Sequence, residues 1–244
     1  MDVAAFSGAV ATDRASGLLP FCLISNAATT NTGAVDPLDR LADICEREGL
    51  WHHADGALGA GALFSERGRA SLKGLGRCDS FSVDPHKWIF QPYPCGCLIV
   101  RDQSSLHDAF SIVPEYLEDA RVDEGEINYW ELGPELTRPF RALKLWMSLQ
   151  VFGADAFAAA VDRGFELAEL TEREVRRLPG WQITSPARMG VVTFRYNPVG
   201  MDNATADDVN RRIARALPET GHAAVLPAQP GGQPGVRVWR VPHP

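Results

Sequence analysis

No stretch of this 244-residue sequence holds the roughly 18 consecutive apolar residues that a membrane-spanning helix needs, so a transmembrane protein is not expected. An excess of basic residues is missing too: 24 Lys and Arg stand against 31 Asp and Glu, a formal net charge of −7. A chain of that sign is a poor partner for nucleic acid or for an anionic membrane surface. The start, Met-Asp-Val-Ala-Ala-Phe-Ser-Gly, lacks the basic head and apolar run of a secretory signal, which makes the cytoplasm the expected location. Cysteine is scarce and odd in number. Cys22, Cys45, Cys78, Cys95 and Cys97 show no disulfide-framework spacing and are expected as reduced thiols. Cys95-Gly-Cys97 and His52-His53 approach a zinc set but lack a second Cys-x-x-Cys or His-x-x-x-His pair. Neighbouring histidines on a strand also face opposite ways, so no metal site is expected.

What remains is an ordinary globular composition, 45% hydrophobic and 23% charged, long enough for one large domain or two small ones. Residues 3–16 suit a short helix closed by Leu18-Leu19-Pro20, and Phe21 to Ser25 a buried strand. A polar, hydroxyl-rich loop, Asn26 to Gly33, follows. Asp36-Pro37 opens a helix, with Leu38, Leu41, Ala42 and Cys45 on one face and Asp39, Arg40, Asp43, Glu46 and Arg47 on the other, and Gly49 ends it. Leu50 to Ala54 reads as the next strand, finishing at Asp55. After a glycine-bearing loop, Ser80 to Val83 is a third strand, and Gly96 to Arg101 a fourth. Strands alternating with crossovers indicate an open α/β sheet, largely parallel in its first part.

The stretch from Pro114 to Gly133 is acidic and weakly patterned around Tyr129-Trp130, as expected of a mobile functional loop or an oligomer contact. Two helices, Arg138 to Gln150 and Ala154 to Arg177, lie either side of Gly153, and Leu178-Pro-Gly180 breaks the chain. Beyond it the strands Trp181 to Ile183, Val191 to Arg195, Ala223 to Leu226 and Val236 to Val241, with a helix over Ala206 to Ala216, compose a small α+β unit. The expected division is residues 1–135 as the first domain, 136–160 as connecting helices and 161–244 as the second.

In open α/β sheets, ligands bind in the crevice outside the carboxyl ends of the strands. Three polar clusters fall there in sequence order: Thr29-Thr30, Asp55 and His86-Lys87. Asp84-Pro85 stops the third strand, because proline disfavours helix in the residue before it and has no N–H. The Trp88-Ile89-Phe90 that follows Lys87 offers apolar surroundings, which disfavour an ammonium, and a neutral lysine amine can form a Schiff base with an aldehyde. Pyridoxal phosphate is such an aldehyde, and it acts as an electron sink when a buried carboxylate keeps its ring nitrogen protonated, a task Asp55 suits. Each residue also has a plainer reading. Lys87 can be a surface lysine after a turn, Asp55 a turn-capping aspartate, Thr29 and Thr30 local ST-turn hydroxyls, and His86 a hydrogen-bonded core histidine.

Four blocks of sequence bear on that choice: Asn26 to Leu38, His53-Ala-Asp55-Gly-Ala57, Ser82-Val-Asp-Pro-His-Lys-Trp88, and Tyr129 to Trp146. Together they resemble the group II pyridoxal-phosphate decarboxylases, a family that includes aromatic-L-amino-acid, tyrosine, histidine and glutamate decarboxylases. The resemblance covers about residues 10 to 200. It implies the fold-type I architecture of the aspartate aminotransferase superfamily, here a partial large domain with a small C-terminal α+β domain. It further implies pyridoxal 5'-phosphate as cofactor, with Lys87 as the Schiff-base lysine and Asp55 on the pyridine nitrogen. Ala57 would pack under the ring, Thr30 would lie near the phenolic oxygen or the substrate carboxylate, and His86 near the phosphate. Tyr129 matches a tyrosine of the family's mobile loop that reprotonates the substrate carbon. The implied reaction is decarboxylation of an L-amino acid, aromatic ones favoured, by a homodimer. Transamination or aldehyde synthesis on the same scaffold, or an inert homologue acting as an association partner, are the alternatives.

Departures from the family pattern accompany it. Family members are about twice as long, and the segment that wraps the partner subunit, the Gly/Ser phosphate loop and the ring-stacking histidine have no counterpart here. Ala28 stands where glycine is common, Ala54-Asp-Gly-Ala57 replaces Val-Asp-Ala-Ala, and the pattern drifts near residue 218.

Overall fold

The computed structural model describes residues 1–111, 127–220 and 225–239. Two four-stranded sheets organise them. The first runs β1 (Cys22–Asn26), β2 (Trp51–Asp55), β3 (Ser80–Val83) and β4 (Cys97–Val100) in spatial order. Its first three strands are parallel and β4 turns back antiparallel to β3. Alternation sorts the side chains. Leu23, Ser25, His52 and Ala54 are buried on one face, while Ile24, Trp51 and Leu98 on the other are exposed.

Helices α1 (Val3–Ala15) and α2 (Leu38–Glu48) cover the buried face, where Val10, Leu23, Leu41, Cys45 and Leu50 pack together. In α2 the apolar residues that recur at helical spacing are the ones buried, together with Ile44. Gly49 ends the helix in the left-handed conformation (φ 65°), and its N–H returns to the Cys45 carbonyl. Arg77 ties the next segment to the exposed side of α2, pairing with Asp39 at 2.8 Å, Asp43 at 2.8 Å and Glu46 at 2.9 Å.

The glycine-bearing stretch before β3, expected as a loop, is instead built of short helices: 3₁₀ turns over Gly59–Phe64 and Leu75–Arg77 flank α3 (Glu66–Ser71). Its glycines mark close packing rather than open chain. A Cβ on Gly59 would lie 2.0 Å from the Ala27 carbonyl oxygen, and one on Gly68 would lie 1.9 Å from that of Ala62. A further helix, α4 (Ser104–Phe110), follows β4 in a stretch to which the sequence reading assigned no element.

Helix α5 (Ala142–Arg177) joins the two sheets, and the expected break within it falls at Gly153, whose φ of 76° and ψ of 161° are not helical. It starts later than expected: of the residues from Arg138, only Ala142 onward is helical. Phe157, Val161 and Phe165 of α5 complete the first core with Trp88, Ile89, Ala54 and Val83. Val175, two residues from the helix end, belongs to the second core with Val192, Phe194, Val225, Val236 and Val238.

The second sheet is antiparallel throughout, in the order β5 (Trp181–Arg188), β6 (Val191–Tyr196), β8 (Gly235–Trp239) and β7 (Leu226–Ala228). Helix α6 (Asn203–Glu219) packs on it through Ala206, Asn210 and Ala214. Fully buried Asn210 bonds both the N–H and the carbonyl of Tyr196, and so fixes α6 to β6. Of the expected β7 strand, Ala223 and Ala224 lie outside the described residues, as do Arg240 and Val241 of the expected β8 strand.

Candidate active site

The carboxyl ends of β1, β2 and β3 lie side by side, and backbone bonds lash them together. The N–H of Ala27 donates to the Asp55 carbonyl at 2.8 Å, and that of Asp84 to the Ala57 carbonyl at 3.2 Å. Asp55 ends β2 with its side chain on the open face of the sheet, and it is exposed rather than buried as expected. One carboxylate oxygen, Oδ1, accepts from the Ala57 N–H at 3.1 Å and from the Ser82 hydroxyl at 3.2 Å. Oδ2 is left clear of both bonds, so the group is aimed by one oxygen and available at the other. Ser82 lies on the neighbouring strand and also accepts from the Gly56 N–H at 3.2 Å.

Past Pro85 the chain makes a tight turn, closed by bonds from the Lys87 N–H to the Asp84 carbonyl and from the Gln91 N–H to the Pro85 carbonyl, each 2.9 Å. The turn divides its residues. Trp88 is wholly buried and Ile89 nearly so, while Lys87 points outward with a third of its side chain exposed. The apolar run after Lys87 therefore anchors the turn in the core and does not surround the amine. Lys87 Nζ instead pairs with Asp84 Oδ2 at 2.8 Å. Phe90 closes the turn at φ 55°, an uncommon conformation for a bulky residue and of the kind found beside functional groups.

His86 is held from behind. Its Nδ1 donates to the Cys95 carbonyl at 2.6 Å, and its ring meets that of Tyr93 edge-on at 5.2 Å. A carbonyl can only accept, so Nδ1 is the donor in that contact, and Nε2 faces outward, 3.9 Å from Asp84 Oδ2. The segment that backs His86 is tied down by α5. Lys144 Nζ donates to the carbonyls of Pro92 and Pro94 at 2.5 and 2.8 Å, and the Ser148 hydroxyl meets Gln91 Oε1 at 3.2 Å.

Thr29 and Thr30 differ in their surroundings. The Thr29 hydroxyl bonds Thr32 Oγ1 at 2.8 Å and accepts from the Ala34 N–H at 3.2 Å, a local turn. Thr30 is exposed at the loop tip. The structure therefore brings Asp55, Ala57, His86 and Lys87 to one edge, with Thr30 on the loop after β1. Tyr129 is not brought there. It stands two-thirds exposed at the start of a 3₁₀ turn, Tyr129–Leu132, against α4. Of the acidic stretch that precedes it, residues 112–126 lie outside the described ones.

Sequence reading passed over two members of this edge. In sequence Asp84 reads only as the stop signal of β3, yet it is the partner of Lys87. Ser82 reads only as part of a motif, yet it aims Asp55. Strand periodicity held the signal for Ser82, since it lies opposite Asp55 on the adjacent strand.

A lysine amine and an aimed carboxylate at neighbouring strand ends of an α/β sheet are the donor set that fits the two ends of a pyridoxal ring, aldehyde and ring nitrogen. They define the lysine-anchored pyridoxal class. Comparison with known proteins narrows it. Residues 1–197 match the pyridoxal-dependent decarboxylase conserved domain, and the chain belongs to that family. It is 45% identical over 225 residues to the aromatic-L-amino-acid decarboxylase of Bacillus atrophaeus, covering 91% of this chain and 47% of that protein. With tyrosine decarboxylase 2 of Arabidopsis thaliana it shares 34% over 214 residues, covering 87% and 39%. Among solved structures, Oryza sativa TDC with PLP and tryptamine superposes with a TM-score of 0.90 at 30% identity, covering 97% of this chain and 49% of that one. The chain thus spans about half the length, or less, of the curated relatives it matches.

Proposed function

We propose that this chain serves the decarboxylation of an L-amino acid, with aromatic side chains favoured, using pyridoxal 5'-phosphate. The observation that carries the reading is the placement of Lys87 Nζ and the Asp55 carboxylate at the ends of adjacent parallel strands, linked through Asp84 and Ala57. The preference for aromatic substrates is supported by the relatives, among them the aromatic-L-amino-acid and tyrosine decarboxylases. When bound, the cofactor supplies the electron sink that lets the α-carboxylate leave as carbon dioxide.

The residues have the following parts. Lys87 Nζ would hold the cofactor through its aldehyde carbon. Asp55 Oδ2 would accept from the ring N–H, while Ser82 and the Ala57 N–H keep Oδ1 fixed. Ala57, with no more than a methyl group, would leave room for the ring. His86 would stand near the phosphate, its ring oriented by the Cys95 carbonyl, and Thr30 would offer its hydroxyl to the phenolic or carboxylate oxygen. One proton must replace each departing carboxylate, and Tyr129 Oη delivers it, which requires its segment to swing toward Lys87. Residues 1–135 form the cofactor side and 161–244 the small domain, with 136–160 as the connection.

The working form is a homodimer, supported by the exposed Phe140, Trp146, Met147 and Phe152 in and just before the first half of α5. Its location is the cytoplasm, supported by five cysteines that are all free. Among the described residues no helix is long and apolar enough to cross a membrane.

The test combines two measurements on the purified chain with added pyridoxal phosphate. Visible absorbance of lysine-bound cofactor should form in the wild type and vanish in Lys87→Ala. With L-tryptophan, L-tyrosine or L-phenylalanine, amine and carbon dioxide should appear in equal amounts. Ammonia in place of amine would overturn decarboxylation in favour of aldehyde synthesis. A wild type without the absorbance would overturn the cofactor reading for this chain.

A further inference from the structure

The loop that carries Thr30 is gripped from the second sheet. Its base closes on itself: the N–H of Thr29 donates to the Ala34 carbonyl at 2.9 Å, and that of Gly33 to the Thr29 carbonyl at 2.8 Å. Its tip has three contacts from elsewhere. Arg237 of β8 donates from Nη1 to the Thr30 carbonyl at 2.5 Å, across 207 positions of sequence. The Ser185 hydroxyl of β5 reaches the Thr32 carbonyl at 3.5 Å. Gly33, at φ 65°, lies so close to the end of β5 that a Cβ would stand 2.0 Å from the Arg188 carbonyl oxygen. Two strands of one sheet thus meet one loop of the other.

Arg237 is the unusual member. Its Nε is buried and has no hydrogen-bond partner, and the guanidinium pairs with no carboxylate among the described residues. Burial also pulls its pKa down from the ordinary guanidinium value. Arg237 as a whole is only partly buried and its bond to Thr30 lies at an exposed position, so the cost falls on the unpaired Nε, and a methionine would fill the stem without it. The bond to Thr30 is what the guanidinium adds over such a stem.

We propose that Arg237 is a positioning residue for the candidate active site. By fixing the Thr30 carbonyl it holds the loop after β1 at the strand ends, so that the second sheet sets where the Thr30 hydroxyl stands. This rests on the reading of Thr30 as a residue of the pyridoxal site. The gripping of the loop itself does not.

The experiment compares the 244-residue chain with Arg237→Met and Arg237→Lys. A lysine can restore one donor to the Thr30 carbonyl, whereas methionine retains the stem and donates nothing. Amide hydrogen exchange followed by mass spectrometry should rise about tenfold at residues 27–35 in the methionine variant, the factor that loss of a charge-assisted bond implies. Residues 50–56 of β2 and the melting temperature should stay unchanged, and the lysine variant should return the loop to within about threefold of wild type. Titration with pyridoxal phosphate, read by the absorbance of lysine-bound cofactor, should show the same order of affinities. Unchanged exchange at 27–35 in the methionine variant overturns the proposal. So does a rise shared equally by β2, or a lysine variant that behaves like methionine. If the wild type shows no such absorbance, the pyridoxal reading fails and the exchange data alone decide the clamp.

Discussion

Ala28 adopts φ 86° at the mouth of the loop after β1, where an L side chain crowds its own backbone. It is buried, and a Cβ on Gly59 would press within 2.6 Å of its methyl group. The sequence had flagged this position, since glycine is common there in the resembling family, but had no means to assign a conformation. Ala28→Gly should therefore stabilise the chain by about 1 kcal/mol or slightly less, the strain released outweighing one lost buried methyl group. A urea midpoint lower than wild type would contradict that, and would be the ordinary result for removing a methyl from a buried site. The other residue-scale lesson is Lys87. Its proposed part as the reactive amine comes from Asp84-Pro-His-Lys-Trp88, but its surroundings were not legible there. Sequence adjacency suggested that Trp88 and Ile89 would enclose it, whereas the turn sends them into the core and leaves Asp84 as its neighbour.

At the scale of elements, the two most informative glycines make opposite demands. Gly59 sits in a 3₁₀ turn pressed against the Ala27 backbone, whose carbonyl oxygen would lie 2.0 Å from an added Cβ and cannot swing aside as a side chain can. Gly153 breaks α5 at φ 76° with nothing within 4 Å of its would-be Cβ. Gly59→Ala should cost about 3 kcal/mol or abolish soluble expression, since backbone must move. Gly153→Ala meets no atom and should cost about 2 kcal/mol, the backbone strain alone of an alanine at φ 76° and ψ 161°, a region almost exclusive to glycine. Denaturant unfolding of the two variants checks the contrast, and equal costs would mean that the tight packing around Gly59 yields easily. Periodicity rendered α2, its buried face and the break in α5 from sequence alone. It missed the helical turns between β2 and β3, because there each short turn is fixed by contacts with Ala27, Ala62 and Trp88 rather than by a pattern of its own.

Among the described residues one histidine is buried, and it couples the stability of the whole molecule to pH. His52 is only 1% exposed, with Nε2 on the Ser25 hydroxyl at 2.9 Å and Nδ1 near Cys78 Sγ at 3.5 Å. Burial lowers its pKa below the ordinary 6.5, the Asp79 carboxylate offsetting part of the shift. The fold thus favours the neutral ring, and the unfolded chain takes up a proton first as the pH falls. The stability this histidine supports is in full force above pH 6.5 and declines below it until the folded-state value is reached. Urea midpoints at pH 7.5 and 5.5 should differ in that direction, and the difference should shrink in His52→Asn. The same environment pushes the thiols of Cys45 and Cys78 up to about 11, so both stay protonated at neutral pH.

By itself the sequence determined the class of fold, the strand ends that carry Lys87, His86 and Asp55, and the family to which the chain belongs. Those follow from local rules: alternation in strands, proline and glycine as stops, and motifs whose residues are close in sequence. Tertiary structure alone decided that Ser82 aims Asp55, that Asp84 accompanies Lys87, and that Arg237 reaches Thr30 from the far end of the chain. Such pairings depend on which strands become neighbours and on how far side chains reach, quantities set by the packing of both cores together and written in no single stretch of residues.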